Sequence, residues 1–169
     1  DRIGGMDGHG NALTTHQIIC LLLEHFLKNR QGSGRVVKAL TTTSMVDVMC
    51  ARHQLPLTVT GVGFKYICKE MLRGDVLLGF EESGGVGFPK HVPERDGILA
   101  GLMILEMLAC EGKPLTKLLK RLTSNYGPHE YGRSDTDFPL DRSSLLMNQA
   151  AKHPPTNLLG SPLDKIQTF

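Results

Sequence analysis

The chain has 169 residues, 40% of them hydrophobic and 21% charged, enough for one domain with a substantial core, or one domain and part of another. Nineteen basic against 17 acidic side chains give no basic excess of the kind that tracks phosphates, so nucleic acid is not expected as a partner. No apolar run approaches the roughly 20 residues of a membrane span, so no membrane partner is expected, and the opening DRIGGMDGHG lacks the basic region and apolar core of a secretory leader.

Thr14 with Gln17 three residues on fits a capping box, and apolar residues recur at Ile18, Ile19, Leu22, Leu23, Phe26 and Leu27, so the spacing predicts a helix over 14–30. RVVKALTTT reads as a strand. SMVDVMCARH reads as a helix, with Ser44 and Asp47 marking its start. The rhythm repeats through LPLTVTGV as strand, GFKYICKEML as helix and GDVLLGF as strand. Asp96 is placed to cap a long helix over GILAGLMILEMLACEG, with Ile98, Leu102, Leu105 and Leu108 on related faces, and LTKLLKRLTSNYG supplies one more helix ending near Gly127. From about residue 128 the sequence turns polar and rich in proline, without sustained periodicity, until LDKIQTF begins another element.

Strands of five to eight residues alternating with ten-residue helices predict an α/β fold. Its core is β-α-β-α-β, in a three-layer α/β/α sandwich with a mainly parallel or mixed sheet. Cys20, Cys50, Cys68 and Cys110 each sit inside an apolar segment without metal-ligand spacing. All four read as core thiols of a reducing, cytoplasmic setting.

In parallel α/β sheets, ligands bind beyond the carboxyl ends of the strands. The three strands lead into Thr41–Thr43, Thr60–Lys65 and Glu81–Gly85, which the topology brings to one edge. Glu81 and Ser83, two residues apart in an extended loop, can face one side and offer a carboxylate acceptor and a hydroxyl suited to vicinal sugar hydroxyls. Lys65 after GVG could bring an ammonium to a phosphate, Arg95 could clamp an anion, and His91 could move protons. The dinucleotide fingerprint and the G-x-x-x-x-G-K-[ST] loop are both missing from the sequence, which disfavours a nucleotide site.

GVGFKYI, GFEESGG and HVPERDG, in that order, with DRIGG at the start, resemble the third domain of the α-D-phosphohexomutases, the phosphoglucomutase and phosphomannomutase family, over residues 1 to about 135. The resemblance implies exchange of a phosphoryl group between the 1- and 6-positions of a hexose, through a bisphosphorylated sugar and a phosphoserine. It implies hexose phosphate and hexose bisphosphate as partners, together with other domains of a parent chain. On the same basis Asp1 matches the third aspartate of a Mg²⁺ loop and Arg2 the arginine that completes it. Glu81 and Ser83 match the sugar-gripping pair, Gly63 and Lys65 a loop of the substrate cleft, and Arg95 a basic position near the reacting phosphate. Glu82 between the pair is more like the glucose-specific members, with mannose the next candidate. The glycines of the loop are expected to let it lie close to the sugar.

The implied organisation is the end of domain two over 1–12, domain three over 13–127, and a linker with an incomplete domain four over 128–169. No catalytic serine is matched, and a lone carboxylate is a poor Mg²⁺ ligand set. Such a chain is expected to bind the metal weakly or not at all and to be inactive alone. The rival reading is a non-catalytic α/β module that binds a sugar phosphate or a protein.

Overall fold

A computed structural model of the chain describes residues 1–132, 137–158 and 160–163. Two compact units divide it, Asp1–Glu130 and Tyr131–Phe169. The first opens with a small antiparallel hairpin, β1 (Gly5–Met6) and β2 (Ala12–Leu13). It continues as α1 (Thr15–Lys28), β3 (Arg35–Ala39), α2 (Met45–Arg52), β4 (Leu57–Thr60), α3 (Phe64–Met71) and β5 (Val76–Phe80), then β6 (Val86–Phe88), β7 (Val92–Arg95), α4 (Gly97–Glu111) and α5 (Leu115–Tyr126). Among the described residues, no helix is long and apolar enough to cross a membrane.

The sheet runs β4-β3-β5-β6-β7. β3 pairs in parallel with β4 and β5, and the β5–β6 and β6–β7 pairs are antiparallel, so the sheet is mixed. Side chains alternate across it as strand geometry requires. Val37 and Ala39 pack with Phe64, Ile67 and Met71 of α3 on one face, whereas Val36 joins α1, α2, α4 and α5 on the other. A register shift between Arg35 and Val36 puts Val76 with the α3 cluster, while Leu78 and Phe80 face the larger one. The result is the α/β/α sandwich expected from the sequence.

α1 begins with the expected box. Gln17 N–H donates to Thr14 Oγ1 at 3.1 Å, and Thr14 N–H donates to Gln17 Oε1 at 2.9 Å. The helix is buried more completely than one apolar face requires, from Ile18 through His25, because α4 and α5 cover the side turned away from the sheet. Its buried polar groups are therefore paired. Arg121 of α5 donates to Glu24 Oε2 at 2.5 Å, and His25 Nε2 lies 3.3 Å from Glu106 Oε2 of α4. Glu111, where α4 ends, takes Lys28 at 2.8 Å and Arg121 at 2.7 Å.

Several expectations are corrected. Ser44 makes no side-chain cap bond to α2; Asp47 instead pairs with the Lys38 ammonium, and the Met45 N–H donates to Thr43 Oγ1 at 3.2 Å. β6 and β7 occupy a stretch that reads as loop. Ile98, Leu102 and Leu105 of α4 are 80%, 54% and 62% exposed, and Ala100 and Met107 are buried in their place. Gly79 and Gly87 are required by packing on α3. At Gly79 a Cβ would lie 2.5 Å from Ile67 Cγ2, and at Gly87 it would lie 2.7 Å from Met71 Sδ, so α3 itself fills the space.

Cys20 and Cys50 are buried, but Cys68 is half-buried and Cys110 exposed. Burial raises the Cys20 thiol to about 12 and those of Cys50 and Cys68 to about 11. Cys110 escapes the core because it lies near the end of α4, next to exposed Ala109.

The sheet ends on β7, where Pro93 interrupts the row of donors and the pairing to β6 shifts register between Gly87 and Phe88. In the second unit, α6 (Leu140–Lys152) buries none of its residues, and β8 (Asn157–Leu158) pairs antiparallel with β9 (Ser161–Pro162). The helix is a departure from the aperiodic reading of this segment. The element expected to begin at Leu163 lies, beyond that residue, outside the described residues.

Candidate functional site

The loop after β5 turns back at once. Gly84 N–H donates to the Glu81 carbonyl at 3.1 Å and Glu81 N–H to the Gly85 carbonyl at 3.0 Å, which starts β6. Gly84 takes φ +94°, and a Cβ there would sit 2.7 Å from the Ile3 carbonyl oxygen, so only glycine fits the turn. The N-terminal segment seals it, with Ile3 N–H donating to the Gly84 carbonyl at 3.1 Å and Arg2 bridging Gly85.

Within this turn Ser83 Oγ donates to Glu81 Oε1 at 2.6 Å, and Arg95 Nη1 donates to the same oxygen at 3.0 Å. Among the described residues none donates to Glu81 Oε2. Glu81 is only 6% exposed; its loop position suggests a solvated carboxylate, but β6, β7 and the N-terminal segment close over it. Arg95 also pairs with Asp1 and holds its guanidinium over the Phe64 ring, 5.4 Å from the centroid. Glu81, Ser83, Arg95, Asp1 and Phe64 therefore form one connected group, drawn from four separate stretches of chain.

The other sequence candidates stand around it. Gly63 caps α3 with φ +123° and no side-chain cap bond. Lys65, one residue past Phe64, is exposed, its ammonium 4.9 Å from the Tyr66 ring centroid. Arg2 is exposed and joins the group through its backbone. His91 Nε2 lies 3.3 Å from Asp96 Oδ2, while Asp96 Oδ1 accepts from Leu99 N–H at 2.9 Å and caps α4. That backbone donor, more than the histidine, holds the Asp96 carboxyl below its ordinary range.

Sequence reasoning does not reach Phe64, Thr15 or Lys38. Lys38 carries the one available signal, a lysine inside the buried strand RVVKA, and it is 4% exposed. Its ammonium donates to the Thr42 and Thr43 carbonyls, each at 3.1 Å, and to Asp47. Thr43 N–H donates to His16 Nδ1 at 3.2 Å. Burial keeps the His16 imidazole below its usual pKa, an effect that nearby Glu82 opposes and Lys38 reinforces.

Such a group can accept a hydroxyl proton at Glu81, offer a second polar contact at Ser83 and present a cation at Arg95. It does not suit a magnesium ion. Asp1 is a single carboxylate already matched to Arg95, and among the described residues no three of His, Cys, Asp or Glu are gathered as ligands.

Comparison with known families matches residues 14–126 to the model of phosphoglucomutase/phosphomannomutase, alpha/beta/alpha domain III. The chain belongs to this family. Among relatives of the phosphohexomutase kind, the phosphoglucosamine mutase of Anaeromyxobacter dehalogenans is 35% identical over 124 residues, covering 71% of this chain and 26% of the relative. The phosphoglucosamine mutase of Acetivibrio thermocellus is 30% identical over 119 residues, covering 70% and 26%. A Thermus thermophilus structure assigned to phosphomannomutase superposes with a TM-score of 0.74 at 39% identity, over 83% of this chain and 31% of that one. Each relative is a sugar phosphate mutase by name, and the chain spans about a quarter of the length of the curated relatives, 26% in both cases.

Proposed function

We propose that the chain is the sugar-reading third domain of a phosphohexomutase that interconverts hexose 1-phosphate and hexose 6-phosphate through a bisphosphorylated intermediate. Supporting this reading is the meeting of Glu81, Ser83 and Arg95 where β5 exits the sheet. Glu81 Oε2 would accept from one sugar hydroxyl, and Ser83, turning its proton from Glu81, would contact the neighbouring one. Arg95, already stacked on Phe64, would meet a phosphate as a planar cation. Arg2 and Lys65 would add positive charge at the rim, and Gly63 would leave the α3 amino end open towards an anion.

The 3- and 4-hydroxyls suit the Glu81–Ser83 pair because a vicinal pair presents similar geometry in either orientation of the sugar. The relatives' names differ in the sugar's 2-substituent, which this pair would not touch. Glucose is the proposed hexose, mannose the next. Phosphoryl transfer needs a nucleophile and charge neutralisation that the reading assigns to other domains, so this polypeptide alone should not turn over substrate.

Titrating the ¹⁵N-labelled chain with glucose 1-phosphate tests the reading. Amide shifts should gather at residues 81–85, 63–65 and 95. A response to ATP with none to glucose 1-phosphate would overturn it, and so would mutase turnover by this polypeptide alone.

A further inference from the structure

Glu82 lies between the two proposed sugar contacts, yet its bonds run elsewhere. Its Oε2 accepts from Thr41 Oγ1 at 2.5 Å, and its carbonyl accepts from Thr15 Oγ1 at 2.5 Å. Thr15 is the first residue of α1 and Thr41 belongs to the β3–α2 loop, so three parts of the chain meet at one residue. The loop bearing Thr41 is itself fixed from below, since all three Lys38 contacts go to Thr42, Thr43 and Asp47. Beyond the turn, Gly84 is pinned by Ile3.

We propose that Glu82 is a positioning residue, anchored by Thr41 on a loop held by Lys38, and that it fixes where Glu81 and Ser83 stand without reading the sugar. The inference rests on the proposed sugar site and deepens it. The Glu82 carboxylate is tied through Oε2 to Thr41 and its carbonyl to Thr15, so both of its contacts run away from the Glu81–Ser83 pair. Its identity should therefore change affinity for every hexose phosphate alike, and not the choice among them. This reverses the expectation that an acid at 82 marks glucose preference. Thr41 is exposed, so water can replace its hydroxyl at little cost to the global fold; what the clamp supplies is local order.

The test uses the full ¹⁵N-labelled chain with Thr41→Val, Thr41→Ser and Glu82→Ala. Thr41→Val should speed hydrogen exchange at the Gly84 and Ile3 amides about fivefold or more, the scale of one lost hydrogen bond, with the urea midpoint unchanged. Thr41→Ser, which keeps the hydroxyl, should restore wild-type exchange. Protection at Gly84 unaltered by Thr41→Val, or loss of protection that serine does not rescue, overturns the clamp. Glu82→Ala, which removes the acceptor for Thr41, should weaken glucose 1-phosphate and mannose 1-phosphate together, leaving their affinity ratio within about twofold, since a clamp worth one hydrogen bond serves both. A shifted ratio overturns the claim that Glu82 does not read the sugar. If neither sugar phosphate perturbs the wild-type spectrum, the sugar site fails, and the exchange data alone decide the clamp.

Discussion

Strands β4, β3 and β5 run parallel under helices, and β3 and β5 are buried through almost their whole length. β6 and β7 turn antiparallel, are three and four residues long, and include Gly87 and Pro93. The parallel half is held by apolar burial repeated from unit to unit. The antiparallel flank adds only Val86 and Phe88 of β6 to the same core, and is joined by pairing to β5 and by Arg95 reaching back to Glu81. The candidate site sits on the seam, with Glu81 supplied by one half and Arg95 by the other, so each half can be perturbed separately.

The largest effect is expected inside the parallel half. Lys38→Met removes a buried ammonium and leaves two loop carbonyls without their donor, which should cost about 3 kcal/mol in urea unfolding. A loss below about 1 kcal/mol, the scale of an exposed pair, would mean that water serves those carbonyls equally well.

On the flank, Gly87→Ala sets a methyl against Met71 Sδ and Phe64 Cζ, at 2.7 and 3.0 Å from where its Cβ would lie. Met71 can swing its flexible end away, so the expected loss is about 1.5 kcal/mol, at the mild end of overpacking. Unchanged stability would show that α3 is not seated on this strand as described.

At the seam, Glu81→Gln keeps shape and removes charge. Arg95 retains Asp1 and the Phe64 ring, so unfolding should change by about 1 kcal/mol while the response to glucose 1-phosphate is lost. A variant that still binds the sugar phosphate normally would separate the buried carboxylate from recognition.

An effect visible only at acid pH lies in the helices over the parallel half. Arg121, with Lys28 behind it, depresses the Glu111 carboxyl to about 2, below its ordinary value. A group shifted this way contributes stability above about pH 4.5, its ordinary range, and loses it as the pH falls towards 2. The acid limb of a stability curve should therefore flatten in Glu111→Gln, and an unchanged limb would assign acid sensitivity to other carboxyls.

The parallel half was legible because its signals agree. The Thr14–Gln17 box, the breaks at glycine and the alternation of apolar strand with amphipathic helix all indicate the same units. The flank was not legible, because strands as short as Val86–Phe88 and Val92–Arg95 have too little alternation to stand out from a turn. α4 misleads for the opposite reason. With apolar residues nearly all round it, periodicity cannot say that Ala100 and Met107 face inward while Ile98 and Leu105 face out. At the site, the two-residue spacing of Glu81 and Ser83 suggests that they share a side, though not that Ser83 donates to Glu81. The burial of Glu81 does not follow from local sequence, since it depends on Arg95 arriving across two strands.

Pro93 and the register shift beside it have a further consequence. A terminal strand invites other chains to extend the sheet wherever its amides form an unbroken row. Here the row lacks a donor at the proline and is bent at the shift. Such a border is a poor template for cross-β extension on the side that carries Arg95.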